Sequence, residues 1–249
     1  MSKTPGIVIR ITLLAGSSGL LIAGTTTIGG RVVDSHGLAV DGALVMCWKI
    51  PRLALTPGRG TAAFRQGRTT DDFDASGSML SSGSSGAFLI SLPAPTVYLG
   101  CANSPTDDLL GTCKWTGPAT FALEDGKPQS ADFVLQPAGR ILVHFKDPEG
   151  LLPRTDDPRQ PQRLIVGVTT VDGAFHGADR SVPEGDEVTY TLLVPLDTDV
   201  NLSIFTRDFR LSGLDGKPVN ETFLSSQIRI ADGSQSTPRE FSFAVAHLQ

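Results

Sequence analysis

Short runs of alternating apolar and polar residues recur along the chain, and the first of them predicts a strand, a turn and a second strand. Residues 28–33 are rich in β-branched side chains, residues 34–37 have turn composition, and residues 43–48 form a second apolar run. A similar beginning returns at residues 139–146, where every second residue is apolar before a turn at 147–150. The same strand pattern at two places predicts two copies of one β-unit.

Later runs continue this plan in both halves of the chain. A predicted strand at residues 88–92 is followed by a Pro-containing turn and by a strand at 97–101, and this order returns at 188–194 and 200–205. In the strand at 97–101, the residues that share one face are Val97, Leu99 and Cys101. Short strands between Gly and Pro turns, with no long helical period, predict an all-β fold of tandem β-sandwiches.

Composition suggests where the chain divides. The first half is predicted to end in a strand at residues 131–135, and Gln-Pro-Ala-Gly at 136–139 predicts a break after that strand. We therefore predict one domain at 25–136 and a second at 137–249. Residues 49–86 are rich in Pro, Gly, Ser and Thr and predict a long surface insertion, with short strands at most.

The N-terminal segment has the layout of a signal peptide. Lys3 and Arg10 make it basic, an apolar run follows, and small residues close it near position 24. A transmembrane anchor is the alternative, but the apolar run is shorter than the roughly 20 residues that a bilayer needs. A signal at 1–24 predicts a secreted or periplasmic protein with no membrane span in the mature chain.

Charge narrows the classes of partner. The net charge is −5 and becomes more negative when the basic segment is removed, which argues against nucleic acid and against an anionic membrane surface. The predicted partner is an extracellular or envelope protein, with a glycan as the alternative.

Three cysteines are an odd number for an exported chain. Cys101 and Cys113 flank a polar loop, and a bridge closing it would stabilise the fold by about 3 kcal/mol in the chain-entropy model. Cys47 lies in an apolar run and is predicted to be a buried free thiol. The sequence allows all three pairings, and the Cys101–Cys113 disulfide is the one we favour.

Two stretches resemble the carboxypeptidase regulatory-like family, whose members are small prealbumin-type β-sandwiches. The first is Gly-Arg-Val-Val-Asp at 30–34, followed by Gly37 and by Asp-Gly-Ala-Leu-Val at 41–45. The second is Gly-Ala-Phe-Leu-Ile at 86–90, followed by a Leu-Pro turn and by Tyr98 in the next strand, although the glycine usual before that strand is replaced by Pro95-Thr96-Val97. The resemblance covers most of 25–136 and, more loosely, 137–249, where a sandwich of another family is the alternative. It implies immunoglobulin-like or prealbumin-like sandwiches that act as accessory modules without catalytic residues.

Catalytic chemistry finds little support in the sequence. The histidines are far apart and form no zinc-binding pair: His36, His144, His176 and His247. His36 in a turn and His144 on the polar face of a strand are predicted to lie at the surface. The Ser-Gly run at 81–86 lacks the nucleophile-elbow pattern, and Gly58-Arg59-Gly60 lacks the rest of a phosphate-binding loop. We predict a protein that is not an enzyme and has no cofactor.

One stretch resembles part of a metal site. Asp72, Asp74 and Ser76 place oxygen atoms at alternate positions before Gly77, as at the start of a calcium loop. The closing acidic ligand is missing, because Gly83 stands where it would fall, and a solvated turn is the alternative.

Binding surfaces are the remaining functional class. Trp48 and Trp115 could stack on sugars, but core packing is the expected role of both, with Trp115 packing on the predicted disulfide. The insertion at 49–86 carries basic residues among its hydroxyls and is the predicted contact loop. The expected function is a structural or protein-interaction module, with a carbohydrate-binding module as the alternative and a hydrolase less favoured.

Overall fold

The structure is a computed structural model that describes residues 24–50, 78–152, 164–206, 209–219, 222–225, 227–233 and 237–247. The predicted signal peptide, apart from Gly24, lies outside the described residues. So do residues 51–77 of the predicted insertion, including the calcium candidates Asp72, Asp74 and Ser76. No helix within the described ranges is long and apolar enough to cross a membrane.

The described residues form an almost entirely β structure, as predicted. The elements of the first half are β1 (Gly24–Asp34), β2 (Leu44–Lys49), β3 (Ser78–Ser81), β4 (Ala87–Ala94), β5 (Thr96–Asn103), β6 (Leu109–Leu110), α1 (Thr112–Trp115), β7 (Ala119–Leu123) and β8 (Gln129–Ser130). Those that follow are β9 (Phe133–Lys146), β10 (Leu164–Thr170), β11 (Phe175–Gly177), β12 (Arg180–Glu184), β13 (Glu187–Pro195), β14 (Val200–Thr206), β15 (Phe209–Gly213), β16 (Pro218–Val219), β17 (Thr222–Leu224) and β18 (Arg239–His247).

The first half is a sandwich of two sheets. In one sheet β1 pairs antiparallel with β4 and parallel with β8 and the first residues of β9. The other sheet has the order β3-β2-β5-β7. Apolar side chains from both sheets alternate inward and meet in one core, which includes Ile28, Val32, Val45, Phe88, Ile90, Tyr98, Phe121 and Phe133.

The second half repeats this arrangement. Its first strand, the later part of β9, pairs antiparallel with β13 and parallel with β18. The facing sheet has the order β11-β10-β14-β17. The core between the sheets includes Ile141, Val143, Phe145, Val166, Val188, Leu192, Leu202, Ile204 and Phe243. The strand pairs β1–β4 and β2–β5 thus match β9–β13 and β10–β14, in agreement with the order of elements seen in the sequence.

Strand β9 corrects the prediction of two strands separated at residues 136–139. It is one strand of 14 residues whose first part belongs to the first sandwich and whose later part opens the second. Pro137 does not interrupt it, because that residue pairs only with Leu109 of the two-residue strand β6, and the proline ring permits extended backbone. The predicted boundary between 136 and 137 lies inside β9, and the division into two domains stays a prediction.

Strand β5 shows that alternation alone does not say which face is the core. Val97, Leu99 and Cys101 share a face as predicted, but the core contains Tyr98 and Ala102 on the opposite face. The buried Tyr98 places its hydroxyl within reach of the Pro93 carbonyl, to which it donates at 3.3 Å. Cys101 is therefore turned away from the first core.

Two further segments differ from the sequence prediction. The predicted loop between Ala102 and Lys114 contains β6 and most of α1, and β7 has no counterpart among the predicted strands. The last residues of the predicted insertion form β3, which pairs with β2 and is a short strand of the kind that the prediction allows. Ser82, just after β3, is buried and donates to the Val40 carbonyl at 2.7 Å, so this end of the insertion belongs to the sandwich.

Candidate functional site

The candidate site is the junction between the two sandwiches, built around the disulfide. Cys101 on the outward face of β5 is bonded to Cys113 in α1, which is the predicted pairing. Cys47 is a buried free cysteine, also as predicted, and burial raises its thiol pKa to about 11. The disulfide closes residues 101–113 into a loop that carries α1 to the second sandwich.

Hydrogen bonds fix this loop on the first sandwich. Thr112 is buried at the start of α1, and its hydroxyl accepts from the Ala102 N–H at 2.9 Å. Before α1, the short strand β6 pairs with β9 through Leu109↔Pro137 and Leu110↔Gln136. A helix of only four residues is not stable by itself, so these contacts and the disulfide hold it.

Trp115, the last residue of α1, makes the main contact with the second sandwich. Its ring stacks on the His176 ring with 4.0 Å between centroids and 18° between planes. Its indole N–H donates to the Leu193 carbonyl at 3.1 Å, which satisfies a polar group that burial would otherwise penalise. A small apolar cluster of Leu110, Ala138 and Leu193 lies against the same ring.

An ion pair lies beside the indole. The Lys114 Nζ is 2.7 Å from an Asp179 carboxylate oxygen, and that oxygen also accepts from the Leu193 N–H at 2.7 Å. Burial lowers the pKa of Lys114, while the charge and hydrogen bond of Asp179 act in the opposite direction. The carboxylate therefore links α1 to β13 through two donors at once.

A second, more exposed ion pair adds to the junction. Arg180 at the start of β12 pairs with Asp107 in the loop of the first sandwich. Since Arg180 is exposed, this pair contributes little to stability by itself. The Arg180–Asp107 ion pair is nevertheless a further contact between the two sandwiches.

His176 is a buried titratable group at the junction, beside Lys114 and Asp179. Burial lowers its pKa below the ordinary value, and the positive charge of Lys114 lowers it further. Asp172 and Asp179 oppose these effects but do not outweigh them. The neutral ring that stacks on Trp115 is therefore the favoured form.

The other histidines do not join this cluster. His36 is exposed in its turn, as predicted. His144 is half-buried and its Nδ1 lies 2.8 Å from Glu187, while His247 is 3.2 Å from Glu149. Within the described ranges, no group of three or more His, Cys, Asp or Glu side chains could hold a metal ion.

Sequence reasoning identified only part of this site. The sequence predicts the disulfide and a Trp115 packed on it, whereas the ring contact that the structure shows for Trp115 is the stack on His176. Lys114, His176 and Asp179 were missed, because the bond from Lys114 to Asp179 spans 65 positions of sequence. The only local signal was a Lys-Trp pair directly after a predicted disulfide cysteine.

Comparison with known proteins gives distant structural likenesses. No protein-family model matches the sequence, and no curated protein matches it. A streptococcal ancillary pilin is 13% identical with a TM-score of 0.37, over 89% of this chain and 62% of that one, so this chain spans less than two thirds of that pilin. The shaft pilin SpaA of Lactobacillus rhamnosus GG is 9% identical with a TM-score of 0.33, over 90% of this chain and 99% of that one. Chlorocatechol 1,2-dioxygenase of Pseudomonas putida is 12% identical with a TM-score of 0.30, over 45% of this chain and 60% of that one. Values this low fix neither a family nor a function, and the resemblance to the carboxypeptidase regulatory-like family stays a hypothesis.

Proposed function

We propose that this chain is an exported, non-catalytic structural or interaction module that holds two β-sandwiches at a fixed relative orientation. The observation that carries the proposal is the junction. A disulfide-closed loop from the first sandwich contacts the second through a ring stack, an indole hydrogen bond and a half-buried ion pair. A protein that only tethers two domains has no need of such contacts, since a short flexible linker suffices.

The continuous strand β9 supports the same function. It pairs with β1 through Phe133, Val134 and Leu135, and with β13 along its later part. A strand that is hydrogen-bonded in both sandwiches leaves no unpaired linker at which they could hinge. Rigid spacing between the two ends of a module is what a structural element of the cell exterior requires.

Carbohydrate binding remains the alternative function, but Trp115 contributes little to it. One face of its ring is stacked on His176, and the Lys114 Nζ lies 5.7 Å from the ring centroid. Its N–H is already bonded to the Leu193 carbonyl. A sugar would have to displace these partners before it could stack there.

Distances between spin labels test the rigid junction. Labels at L89C in β4 and L214C after β15 would report on the two sandwiches, because both leucines are exposed. The buried Cys47, whose thiol pKa is about 11, should remain unlabelled. We expect a narrow distance distribution in the otherwise unchanged protein and a broad one when Trp115→Ala and Lys114→Ala are added.

A matched control uses Trp48→Ala, which removes an indole from β2 without touching the junction, and the distribution should stay narrow. A broad distribution in the protein with an intact junction would overturn the proposal. A pull-down from an extract of the cell envelope, with the purified protein as bait and with and without calcium, tests for a protein partner.

A further inference from the structure

The disulfide-closed loop at 101–113 also holds the point at which strand β9 passes from one sandwich to the other. Leu135 is the last residue of β9 that pairs with β1, and Ala138 is the first that pairs with β13. Between them, residues 136–137 pair with β6, which lies inside the closed loop. The Ala138 N–H also donates to the Asp108 carbonyl of this loop at 2.9 Å. The crossing point of β9 therefore depends on where the loop lies.

The same loop supplies side chains that reach the second sandwich. Asp107, which forms one of the two ion pairs of the junction, lies between the two bonded cysteines. Lys114 and Trp115 directly follow the second of these cysteines, and they form the other ion pair and the ring stack. Release of the loop from the first sandwich would therefore loosen both the junction and the crossing point of β9.

The disulfide is the covalent tie that fixes the end of this loop on β5. The helix α1 has only four residues, and Gly111 before it has no side chain with which to cap the first N–H groups. The Thr112 hydroxyl accepts from the Ala102 N–H at 2.9 Å and donates to the Ala102 carbonyl at 3.3 Å. Without the disulfide, these bonds and the short strand β6 would have to order the whole loop against its conformational entropy.

The cores of the two sandwiches do not depend on this bond. Among the described residues that form the two cores, neither Cys101 nor Cys113 is included. Cys47 does belong to the first core, and it pairs with Gly100 in the register of β2 and β5, so it lies on the opposite side of the sheet from Cys101. Burial raises the pKa of the Cys47 thiol to about 11, which leaves little thiolate to exchange with the disulfide. Reduction should therefore free two thiols and leave the third unreacted.

We propose that the Cys101–Cys113 disulfide is a redox switch, whose reduction lets the two sandwiches change their relative orientation while each stays folded. The inference rests on the proposed rigid junction and names the condition under which that rigidity is lost.

The reductant is a dithiol. One of its thiolates attacks the sulfur of Cys113, because Cys113 is half-buried whereas Cys101 is fully buried. The disulfide bond breaks, and Cys101 leaves as a thiolate that takes up a proton. The second thiolate of the reductant then displaces Cys113, which is protonated in turn, so the reductant becomes a disulfide and two electrons pass to the protein.

Spin labels at L89C and L214C test the switch without a reductant, which would cleave the labels. In the variant Cys101→Ser/Cys113→Ser the disulfide cannot form, and we expect the narrow distance distribution to be lost. The matched control is Cys47→Ala, which removes a cysteine from the first core but keeps the disulfide. Its distribution should stay narrow.

Treatment of the folded, unlabelled protein with dithiothreitol and then with an alkylating reagent tests the chemistry. Mass spectrometry should find alkyl groups on Cys101 and Cys113 but not on Cys47. The circular dichroism spectrum should be unchanged, because both cores remain folded. Calorimetry of the alkylated protein should show two unfolding transitions in place of one.

The possible failures are distinguishable. A narrow distribution in Cys101→Ser/Cys113→Ser, or a single transition in the alkylated protein, would overturn the switch and leave the rigid junction standing. Unfolding of the serine variant or of the reduced protein would also overturn the switch, because both sandwiches must stay folded. A broad distribution in the protein with an intact disulfide would instead overturn the proposed function, and the switch with it.

Discussion

His176 shows how one residue can make the junction depend on pH. Its ring is stacked on Trp115. Burial lowers the pKa of His176, and the positive charge of Lys114 lowers it further. Asp172 and Asp179 are the acidic groups that oppose this effect. Because the pKa in the folded state lies below the ordinary 6.5, the unfolded chain takes up a proton first as the pH falls.

The sign of the pH effect follows from that order. Above about pH 6.5 the His176 ring is neutral in the folded and the unfolded chain, and its contribution to the free energy of unfolding is complete. As the pH falls from 6.5 through the folded-state pKa, this contribution is lost. At lower pH the ring is protonated in both states, and the contribution does not change further. We expect His176→Phe, which keeps a flat ring but cannot titrate, to show a smaller loss of unfolding free energy between neutral and mildly acidic pH. Urea denaturation at several pH values measures the difference in slope between the two proteins.

The same prediction has a direct check by NMR. The ring proton shifts of His176 should titrate below the ordinary pKa. Titration at or above 6.5, or an equal slope in His176→Phe, would contradict it. The slope rather than the absolute stability is compared, because the variant also loses a hydrogen bond with the Lys114 backbone.

Among the strands, β1 shows why glycine recurs in the motifs seen in the sequence. Gly30 lies where β1 passes closest to the segment before β9, and a Cβ there would be 1.8 Å from the Ala131 carbonyl oxygen. Gly86 has φ of +71° and a Cβ there would be 2.3 Å from the Val32 carbonyl oxygen. Both obstacles are backbone atoms, which cannot move aside as a flexible side chain can.

Gly30→Ala is therefore expected to destabilise the fold strongly. The added methyl group must separate β1 from residue 131, and we expect a loss of about 3 kcal/mol or more of unfolding free energy. Gly177→Ala in β11 is the matched control, because its nearest neighbour would be 4.0 Å away and its φ is not positive. The control should change stability by about 1 kcal/mol or less. Chemical denaturation of both variants measures this, and equal stability of the two would contradict the explanation.

The strands that sequence reasoning identified are those with clear alternation. β4 and β13 each place every second side chain in a core, and their apolar positions were identifiable without a structure. β7 was missed, because only two of its residues, Phe121 and Leu123, are buried. α1 could not be predicted, since its four residues depend on a disulfide and on contacts with residues far away in sequence. The junction is nonlocal, and only Trp115 and the cysteines gave a local signal for it.

In the whole molecule, one pairing pattern is used twice and the two copies share a strand. The first sandwich closes with the beginning of β9 beside β1, and the second closes with β18 beside the later part of β9. Each copy has its own core, which would let it unfold alone. The shared strand and the junction act against independent unfolding, so their strength decides whether the molecule behaves as one unit or two.

Calorimetry measures whether the two sandwiches unfold together or independently. We expect one cooperative transition, with calorimetric and van't Hoff enthalpies that agree, because opening either sandwich exposes the Trp115 stack and separates Lys114 from Asp179. Combining Trp115→Ala with Lys114→Ala should remove about 2 kcal/mol or more of the coupling free energy between the two sandwiches. The single thermal unfolding transition should then split into two. Trp48→Ala also removes an indole but leaves the junction intact, so it should lower the transition temperature without splitting the transition. Two transitions in the unchanged protein would show that the sandwiches are independent, and one transition in the double variant would assign the coupling to β9 alone.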